Sequence, residues 1–180
     1  MYTVNVVAKN DEYSTNTELF TLPEHGELKI EVPAIWEYRY TTIDNTSPPF
    51  LTFYMHDKNK KEIFQLNISV MWEDSYERDI ISSDFIYSLV YEAGKNTLLK
   101  SDQSELKLTE IQGTHGNGFL FDLSDSDAEQ GEYKYLTQGG LAAGKLLLLF
   151  SLFSNDDQFI LKELMLRTIK SARHQFRTDV

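Results

Sequence analysis

The sequence predicts an α+β fold in which an antiparallel sheet is flanked by helices in an α-β-α layered arrangement. Three observations support this prediction. Apolar and polar residues alternate with a period of two in many short segments, which is typical of half-buried strands. Two longer segments repeat their apolar residues at helical spacing. Polar turns of hairpin length separate several of the strands, and such short connections favour antiparallel neighbours.

The length and composition of the chain suit one domain. Its 180 residues include 11 Phe and 10 Tyr, which supply large side chains for a core. A chain of this size can bury roughly 70% of the surface that it exposes when unfolded. We therefore expect an N-terminal arm or edge strand at 1–18, a single α+β domain at 19–174 and a frayed tail at 175–180.

The first half of the chain predicts a meander of short strands. The clearest alternation places Phe64 and Leu66 on one face of a strand and Gln65 on the other. Pro33 lacks a backbone donor, so we expect it to end an earlier strand. The predicted strands cover residues 28–32, 36–40, 50–56 and 64–72, with a polar hairpin turn at 57–61.

Two segments predict helices. Between Asp79 and Ala93 the apolar residues form a stripe at helical spacing, and Gly94 follows where a left-handed C-cap is expected. A closing helix is expected to begin near Asp156, because acidic residues there suit the positive end of a helix dipole. Its predicted core stripe consists of Leu161, Leu164, Met165, Thr168, Ile169 and Ala172.

Four further strands are predicted between the two helices. Segments 106–111 and 119–123 are separated by a glycine-rich turn at 113–118. Segments 133–138 and 145–153 are joined by a second glycine-rich connection. The last strand is apolar on both faces, so we expect it to lie in the centre of the sheet and to be covered on each side.

The charge of the chain argues against two classes of partner. Its formal net charge of −11 would repel nucleic acids and anionic membrane surfaces. The longest apolar run, residues 146–153, is far shorter than the ~20 residues of a membrane-spanning helix, so we expect no membrane insertion. There is no cysteine to indicate a compartment. The sequence is compatible with the cytoplasm, or with an extracytoplasmic location if a signal peptide has been removed.

Neither of the two motifs that could bind a cofactor or metal has the required context. Residues 139–145 match the G-x-x-x-x-G-K part of a phosphate-binding loop, but Leu146 replaces the Ser or Thr that ligates magnesium, and a strand follows instead of a helix. An acidic stretch could hold calcium, but its spacing does not fit an EF-hand, and a solvated turn is favoured. Its members are Asp122, Asp125, Asp127, Glu129 and Glu132. We therefore predict no cofactor, no metal site and no catalytic residues.

The order of the elements resembles that of the PsbP-like superfamily. A Pro-x-x-Trp at Pro33 to Trp36 and the segment from Tyr135 to Arg173, an apolar strand followed by the closing helix, carry this resemblance. The superfamily includes photosystem extrinsic subunits, Ran-binding Mog proteins and bacterial proteins and lipoproteins. The resemblance implies the α-β-α, PsbP-like arrangement and a binding or assembly role without catalysis. No functional residue of the family can be assigned to a position in this chain.

The candidate binding residues are Tyr38, Tyr40, Tyr54 and His115. The three tyrosines either fill the core or form a half-exposed face that binds a partner, since tyrosine tolerates a half-wet position. His115 lies in a glycine-rich turn. His56 and His115 could also converge with carboxylates, since catalytic groups are recognised by geometry.

Three functions follow from these residues. We predict a non-catalytic binding or assembly module with a protein partner, because catalytic motifs are missing. The alternatives are a hydrolase or lyase that uses His115 or His56 with nearby carboxylates, and a chaperone-like protein that binds a hydrophobic segment of its partner. The sequence leaves the oligomeric state open.

Overall fold

The structure, a computed structural model, describes residues 14–42, 48–72, 80–129, 132–155 and 159–176. Ten strands and two helices lie within these ranges. In chain order they are β1 (Thr15–Leu22), β2 (Gly26–Pro33), β3 (Glu37–Thr41), β4 (Phe50–His56), β5 (Glu62–Trp72), α1 (Ser83–Leu98), β6 (Thr109–Gly113), β7 (Gly116–Ser124), β8 (Tyr135–Ala143), β9 (Leu146–Ser154), α2 (Phe159–Lys170) and β10 (Arg173–Gln175). Neither described helix is both long and apolar enough to cross a membrane.

The described strands form two antiparallel sheets. The large sheet has seven strands in the order β3-β4-β5-β9-β8-β7-β6, and the small sheet has three in the order β1-β2-β10. The sequence predicts a single sheet, because alternation identifies strands without identifying their partners. β2 pairs with β1 and β10 instead of continuing the meander into β3.

Two apolar clusters, one on each face of the large sheet, show how the layers are arranged. On one face of the large sheet, Ile68 packs with Ile30 of the small sheet and Met165 of α2, and all three are fully buried. On the other face, Ile86 of α1 packs with Phe121 of β7. The predicted α-β-α layering is therefore confirmed, with the small sheet sharing the layer of α2.

Strand β9 lies at the centre of the large sheet, as its apolar residues on both faces predict. Phe150 belongs to the cluster with α2 and the small sheet. Leu147 belongs to the cluster with α1. A strand that is covered on both faces must be apolar on both faces, which explains its sequence.

The glycine-rich connection predicted between the last two large-sheet strands is mostly strand. Gly139 lies inside β8, and the turn to β9 consists only of Gly144 and Lys145. An added Cβ on Gly139 would lie 2.3 Å from the carbonyl oxygen of Phe119. Gly144 has a φ of 68°, a conformation that favours glycine. The near-match to a phosphate loop therefore reflects close packing of strands and one tight turn.

Helix α1 does not end at Gly94 as predicted. It begins after Ser82, whose side-chain oxygen accepts a hydrogen bond from the backbone of Phe85 at 3.3 Å, and runs to Leu98. Gly94 is buried inside the helix, where an added Cβ would lie 2.7 Å from Cδ1 of Leu106. The glycine allows the helix to approach its neighbour closely. The predicted start at Asp79 lies outside the described residues.

The closing helix buries the predicted stripe. Leu161, Met165, Thr168 and Ile169 are buried along α2, Ala172 follows it into the core, and Leu164 is partly buried. The predicted start near Asp156 lies outside the described residues. The chain then continues into β10, so Gln175 pairs with Glu27 instead of belonging to a frayed tail. Residues 1–13 and 177–180 also lie outside the described part of the chain.

We expect Gly139→Ala to lower the free energy of unfolding by about 1–3 kcal/mol or more, because its new methyl group would meet the carbonyl oxygen of Phe119. Gly140→Ala is the matched control. The nearest atoms to its new methyl group are the side-chain carbons of Ile86 and Leu149, at 3.1 and 3.3 Å. Chemical denaturation measures both. Equal losses for the two variants would contradict the packing argument.

Candidate functional site

One half of the large sheet has an open face. Strands β3, β4 and β5 turn one set of side chains away from the α2 layer, and register places Tyr54 between Glu37 and Gln65 in this set. Helix α1 packs over β7 and β8, and its apolar cluster takes no residue from β3 or β4. We call this half the open face; within the described part of the chain its side chains include Glu37, Arg39, Thr41, Phe50, Thr52, Tyr54, His56, Gln65, Asn67 and Ser69.

Side-chain contacts order the open face. The guanidinium carbon of Arg39 lies 5.2 Å from the centre of the Tyr54 ring. The ring of His56 meets Tyr54 edge-on at 5.4 Å, and its Nδ1 lies 3.3 Å from the carboxylate of Glu37. An exposed ion pair contributes little to stability, but this chain of contacts limits the freedom of the aromatic and cationic groups. The surface is therefore partly preorganised for contact.

An apolar pocket adjoins the open face. It has a volume of about 390 Å³ and lies between the C-terminal end of α1 and the sheet. Leu123, Leu136 and Phe153 line its floor. These three side chains occupy one row across the sheet, and register continues that row through Gln65 to Tyr54. We call this cavity the α1 pocket, and its floor shares a row of the sheet with the open face.

The rim of the α1 pocket is held by polar contacts. The carboxylate of Asp102 accepts hydrogen bonds from the backbone and hydroxyl of Ser126 and from the hydroxyl of Ser124. Gln103 donates to the Ser124 hydroxyl and accepts from its backbone, both at 2.9 Å. The hydrogen bond from the Ser126 backbone is the main cause that lowers the pKa of Asp102 below its ordinary value.

Tyr133 forms another wall of the α1 pocket. Its ring lies 5.8 Å from that of Phe153, and its hydroxyl donates a short hydrogen bond to Glu62. Burial, and then the bond to the Glu62 carboxylate, raise the pKa of Tyr133 well above its ordinary value. The phenol therefore remains a proton donor, and it joins this wall to the start of β5.

The three predicted binding tyrosines do not share one face. Tyr38 and Tyr40 lie opposite Phe53 and Leu51 in register and so face the core layer, whereas Tyr54 belongs to the open face. Their alternation within β3 is visible in the sequence. The register between β3 and β4, which puts Tyr54 on the other face, is not.

Tyr38 and Tyr40 join the two sheets. Both rings lie 5.3 Å from the ring of Phe20 in β1. The Tyr38 hydroxyl donates to the carboxylate of Glu18 at 3.0 Å, and the Tyr40 hydroxyl donates to the backbone carbonyl of Thr21. We call these contacts the inter-sheet clasp, because they tie β1 of the small sheet to β3 of the large one.

The two histidines of the hydrolase hypothesis lie far apart, so their predicted convergence is wrong. His56 ends β4, whereas His115 lies in the turn between β6 and β7. Strands β4 and β7 are separated by four strand spacings, or roughly 19 Å. Within the described ranges, no serine, threonine or tyrosine hydroxyl is hydrogen-bonded to either ring.

His115 is exposed in a two-residue turn. Its carbonyl accepts a hydrogen bond from the backbone of Gly144 at 3.0 Å, and the neighbouring Thr114 donates to the carbonyl of Lys170 at 2.8 Å. The turn is thus anchored to the β8–β9 turn and to α2. It lies near the edge of the large sheet opposite to β3 and β4, so His115 is distant from the tyrosines.

Two members of the acidic stretch, Asp122 and Asp125, have their carboxylates engaged within the chain. The carboxylate of Asp122 pairs with Lys162 at 2.6 Å and accepts a hydrogen bond from Thr137. Asp125 accepts a hydrogen bond from the backbone of Asp127 at 3.0 Å. Among the described residues, no three histidine, aspartate or glutamate side chains come together as a metal site would require.

Sequence patterns do not reveal the α1 pocket or the role of Arg39. The pocket residues come from α1 and the segment after it, from three strands that pair only in the folded chain, and from the β7–β8 connection. Arg39 is an exposed residue on an edge strand, and only the register of β4 brings it over Tyr54. The one local signal for the pocket is that β9 is apolar on both faces, because Phe153 must then contact something outside the main core.

The fold is similar to that of a solved protein. The solution structure of cyanobacterial PsbP (CyanoP) from Synechocystis sp. PCC 6803 matches with a TM-score of 0.52 over 97% of this chain and 99% of that chain, at 10% sequence identity. At this identity the likeness concerns the fold alone, and it supports the PsbP-like resemblance at that level. No protein-family model and no curated protein sequence matches this chain.

We expect Tyr40→Phe to lower the free energy of unfolding by about 0.5–1.5 kcal/mol, because it removes the hydrogen bond to the carbonyl of Thr21. Tyr54→Phe is the matched control. The hydroxyl of Tyr54 makes no hydrogen bond to the described residues, so its loss should change stability by less than about 0.5 kcal/mol. Urea denaturation at neutral pH measures both. Equal effects would show that the clasp adds nothing to stability.

The inter-sheet clasp also predicts a pH dependence. Burial raises the pKa of Tyr40 above its ordinary value, so above pH 10 the unfolded chain releases this proton more readily than the folded protein. The free energy of unfolding should therefore fall as pH rises above 10. In Tyr40→Phe the fall should be shallower, and denaturation curves from pH 8 to about 11 compare the slopes. Identical slopes would remove Tyr40 as a contributor.

Proposed function

We propose that this protein is a non-catalytic binding module, of an accessory or assembly type, that docks a protein partner on the open face and the α1 pocket. One observation carries the proposal. The cluster of Tyr54, Arg39 and His56 and the floor of an apolar pocket lie along one row of the sheet, with Gln65 between them. A surface with an apolar anchor point beside aromatic and cationic groups has the composition of a protein interface.

The residue types support recognition of a protein. Tyrosine and arginine are enriched among the residues that dominate interface energies, because each offers a large contact area together with directional hydrogen bonds. Tyr54 is half-buried, its ring contacts Arg39 and His56, and its hydroxyl makes no hydrogen bond to the described residues. The side chains of Thr52 and Asn67, which hydrogen-bond to each other at 3.0 Å, add polar groups beside it.

The α1 pocket suits one apolar side chain of the partner. Its floor is apolar, and its rim is fixed by Asp102 and Gln103. A pocket that is already ordered before binding costs less conformational entropy to fill. This feature also supports the chaperone-like alternative in a narrower form, in which the partner inserts a single anchor residue instead of a long hydrophobic segment.

The hydrolase or lyase alternative has weaker support. His56 is paired with Glu37, as a general base would be, but no described hydroxyl is hydrogen-bonded to its ring. His115 lies on another part of the sheet, with no carboxylate within ion-pair distance among the described residues. A binding role accounts for both the cluster and the pocket, whereas a catalytic role accounts for one ion pair.

The test compares two tyrosines on different surfaces of the protein. A partner is captured with the full chain from lysate of the source organism, purified, and its affinity is measured by calorimetry. We expect Tyr54→Ala to weaken this affinity by roughly 30-fold, the loss of a side chain worth about 2 kcal/mol at an interface. Tyr87→Ala, at a residue that is 44% exposed on α1, should leave affinity unchanged.

Two outcomes would contradict the proposal. One is an unchanged affinity for Tyr54→Ala, and the other is a loss for Tyr87→Ala instead. Leu136→Asn extends the test to the α1 pocket, because it places an amide in the apolar floor. Its folding is checked by circular dichroism before the affinity is compared.

A further inference from the structure

A second cleft lies on the opposite side of the large sheet from the open face. It has a volume of about 430 Å³, within the range of roughly 300–1,000 Å³ that is typical of ligand sites. It lies between α2, the small sheet and the turn after β6. Its charged and polar lining includes Arg167, Lys170, Arg173, Glu31, Glu163 and Thr114. We call it the basic cleft.

The cations of the basic cleft come from α2 and β10. On one side of α2, helical spacing aligns Glu163, Arg167 and Lys170. Arg173 lies on β10, where register places it beside Lys29 of β2. The walls are tied to each other, because the backbone of Glu31 donates to the hydroxyl of Ser171 at 2.8 Å.

The cations of this cleft have no ion-pair partner among the described residues. The net charge is −11, yet the described ion pairs involve His56, Lys95, Lys107 and Lys162. Arg167, Lys170 and Arg173 form no ion pair with the described carboxylates, although Glu31 and Glu163 line the same cleft. In a protein with such an excess of acidic groups, three cations that share one concave site and pair with no described carboxylate are available to a ligand.

Helix capping does not fully account for these cations. Basic residues near a helix C-terminus complement the helix dipole, and this explains the sign of Arg167 and Lys170. The terminal carbonyls, however, already have donors from the chain. The backbone carbonyl of Lys170 accepts a hydrogen bond from the hydroxyl of Thr114. The carbonyl of Thr168 accepts one from the hydroxyl of Ser171, and that of Ile169 accepts one from the backbone of Ala172. The guanidinium and ammonium groups are therefore not needed as caps.

We propose that the basic cleft binds the carboxylates of an acidic segment of a partner protein. Arginine presents parallel N–H donors that match a carboxylate. Glu31 and Glu163 offset two of the three positive charges in the cleft, so a singly charged carboxylate balances the remaining charge, whereas a doubly charged phosphate exceeds it. The large negative charge of the whole protein opposes an extended polyanion such as nucleic acid. The site does not depend on the open face, because the large sheet separates the two.

The test uses the full chain and three defined probes. A blocked peptide, Gly-Glu-Gly-Glu-Gly, is titrated into isotope-labelled protein, and the same peptide with glutamine in place of glutamate and inorganic phosphate are titrated separately. We expect the glutamate peptide to shift the backbone amide signals of Thr114, Ser171 and Arg173. Its affinity should decrease as salt is raised, because the attraction is electrostatic.

Variants then assign the site. Arg167→Gln combined with Arg173→Gln should weaken the glutamate peptide by roughly tenfold, whereas Glu163→Gln should strengthen it. Lys58→Gln, which removes one positive charge from the β4–β5 turn, is the matched control and should change nothing. Equal binding of the glutamine peptide, equal or tighter binding of phosphate, shifts confined to other surfaces, or no binding would each overturn the proposal.

Discussion

The pairing of β5 with β9 is the contact on which the rest of the structure depends. It joins the first half of the chain to the second through a continuous register from Phe64 opposite Ser154 to Trp72 opposite Leu146. More than seventy residues separate the two ends of the pair, so forming it requires closure of a long loop. Two hairpin systems, β3-β4-β5 on one side and β9-β8-β7-β6 on the other, become one sheet only through this pair.

This central pair also explains why the two faces of the large sheet differ along its width. The α2 layer and the small sheet cover one face, and residues from both halves meet there in one apolar cluster. On the other face, α1 packs over β7 and β8 in the second half. Strands β3 and β4 therefore present polar and aromatic side chains there, and the α1 pocket forms where the helix ends. The open face is a consequence of a helix that covers only half of the sheet.

Polar contacts then divide the tyrosines between structural and surface roles. Tyr38 and Tyr40 give their hydroxyl groups to Glu18 and Thr21 and so attach the small sheet. The ring of Tyr54 contacts Arg39 and His56, and its hydroxyl makes no hydrogen bond to the described residues. On the other side of the sheet, the attachment of β10 to β2 brings Arg173 towards the end of α2 and completes the basic cleft. Each surface feature is therefore positioned by an element that is remote in sequence.

Local sequence patterns were sufficient to predict the fold class, most of the strands, the two helices and the central, doubly covered place of β9. These are local properties: alternation and helical spacing report which residues of one segment share a face. Three features became visible only in the folded chain: β2 belongs to a second sheet, Tyr54 faces away from Tyr38 and Tyr40, and Gly94 serves packing instead of capping. These depend on strand partners, register and the approach of distant segments, which a shift of one residue would reverse without changing any local pattern.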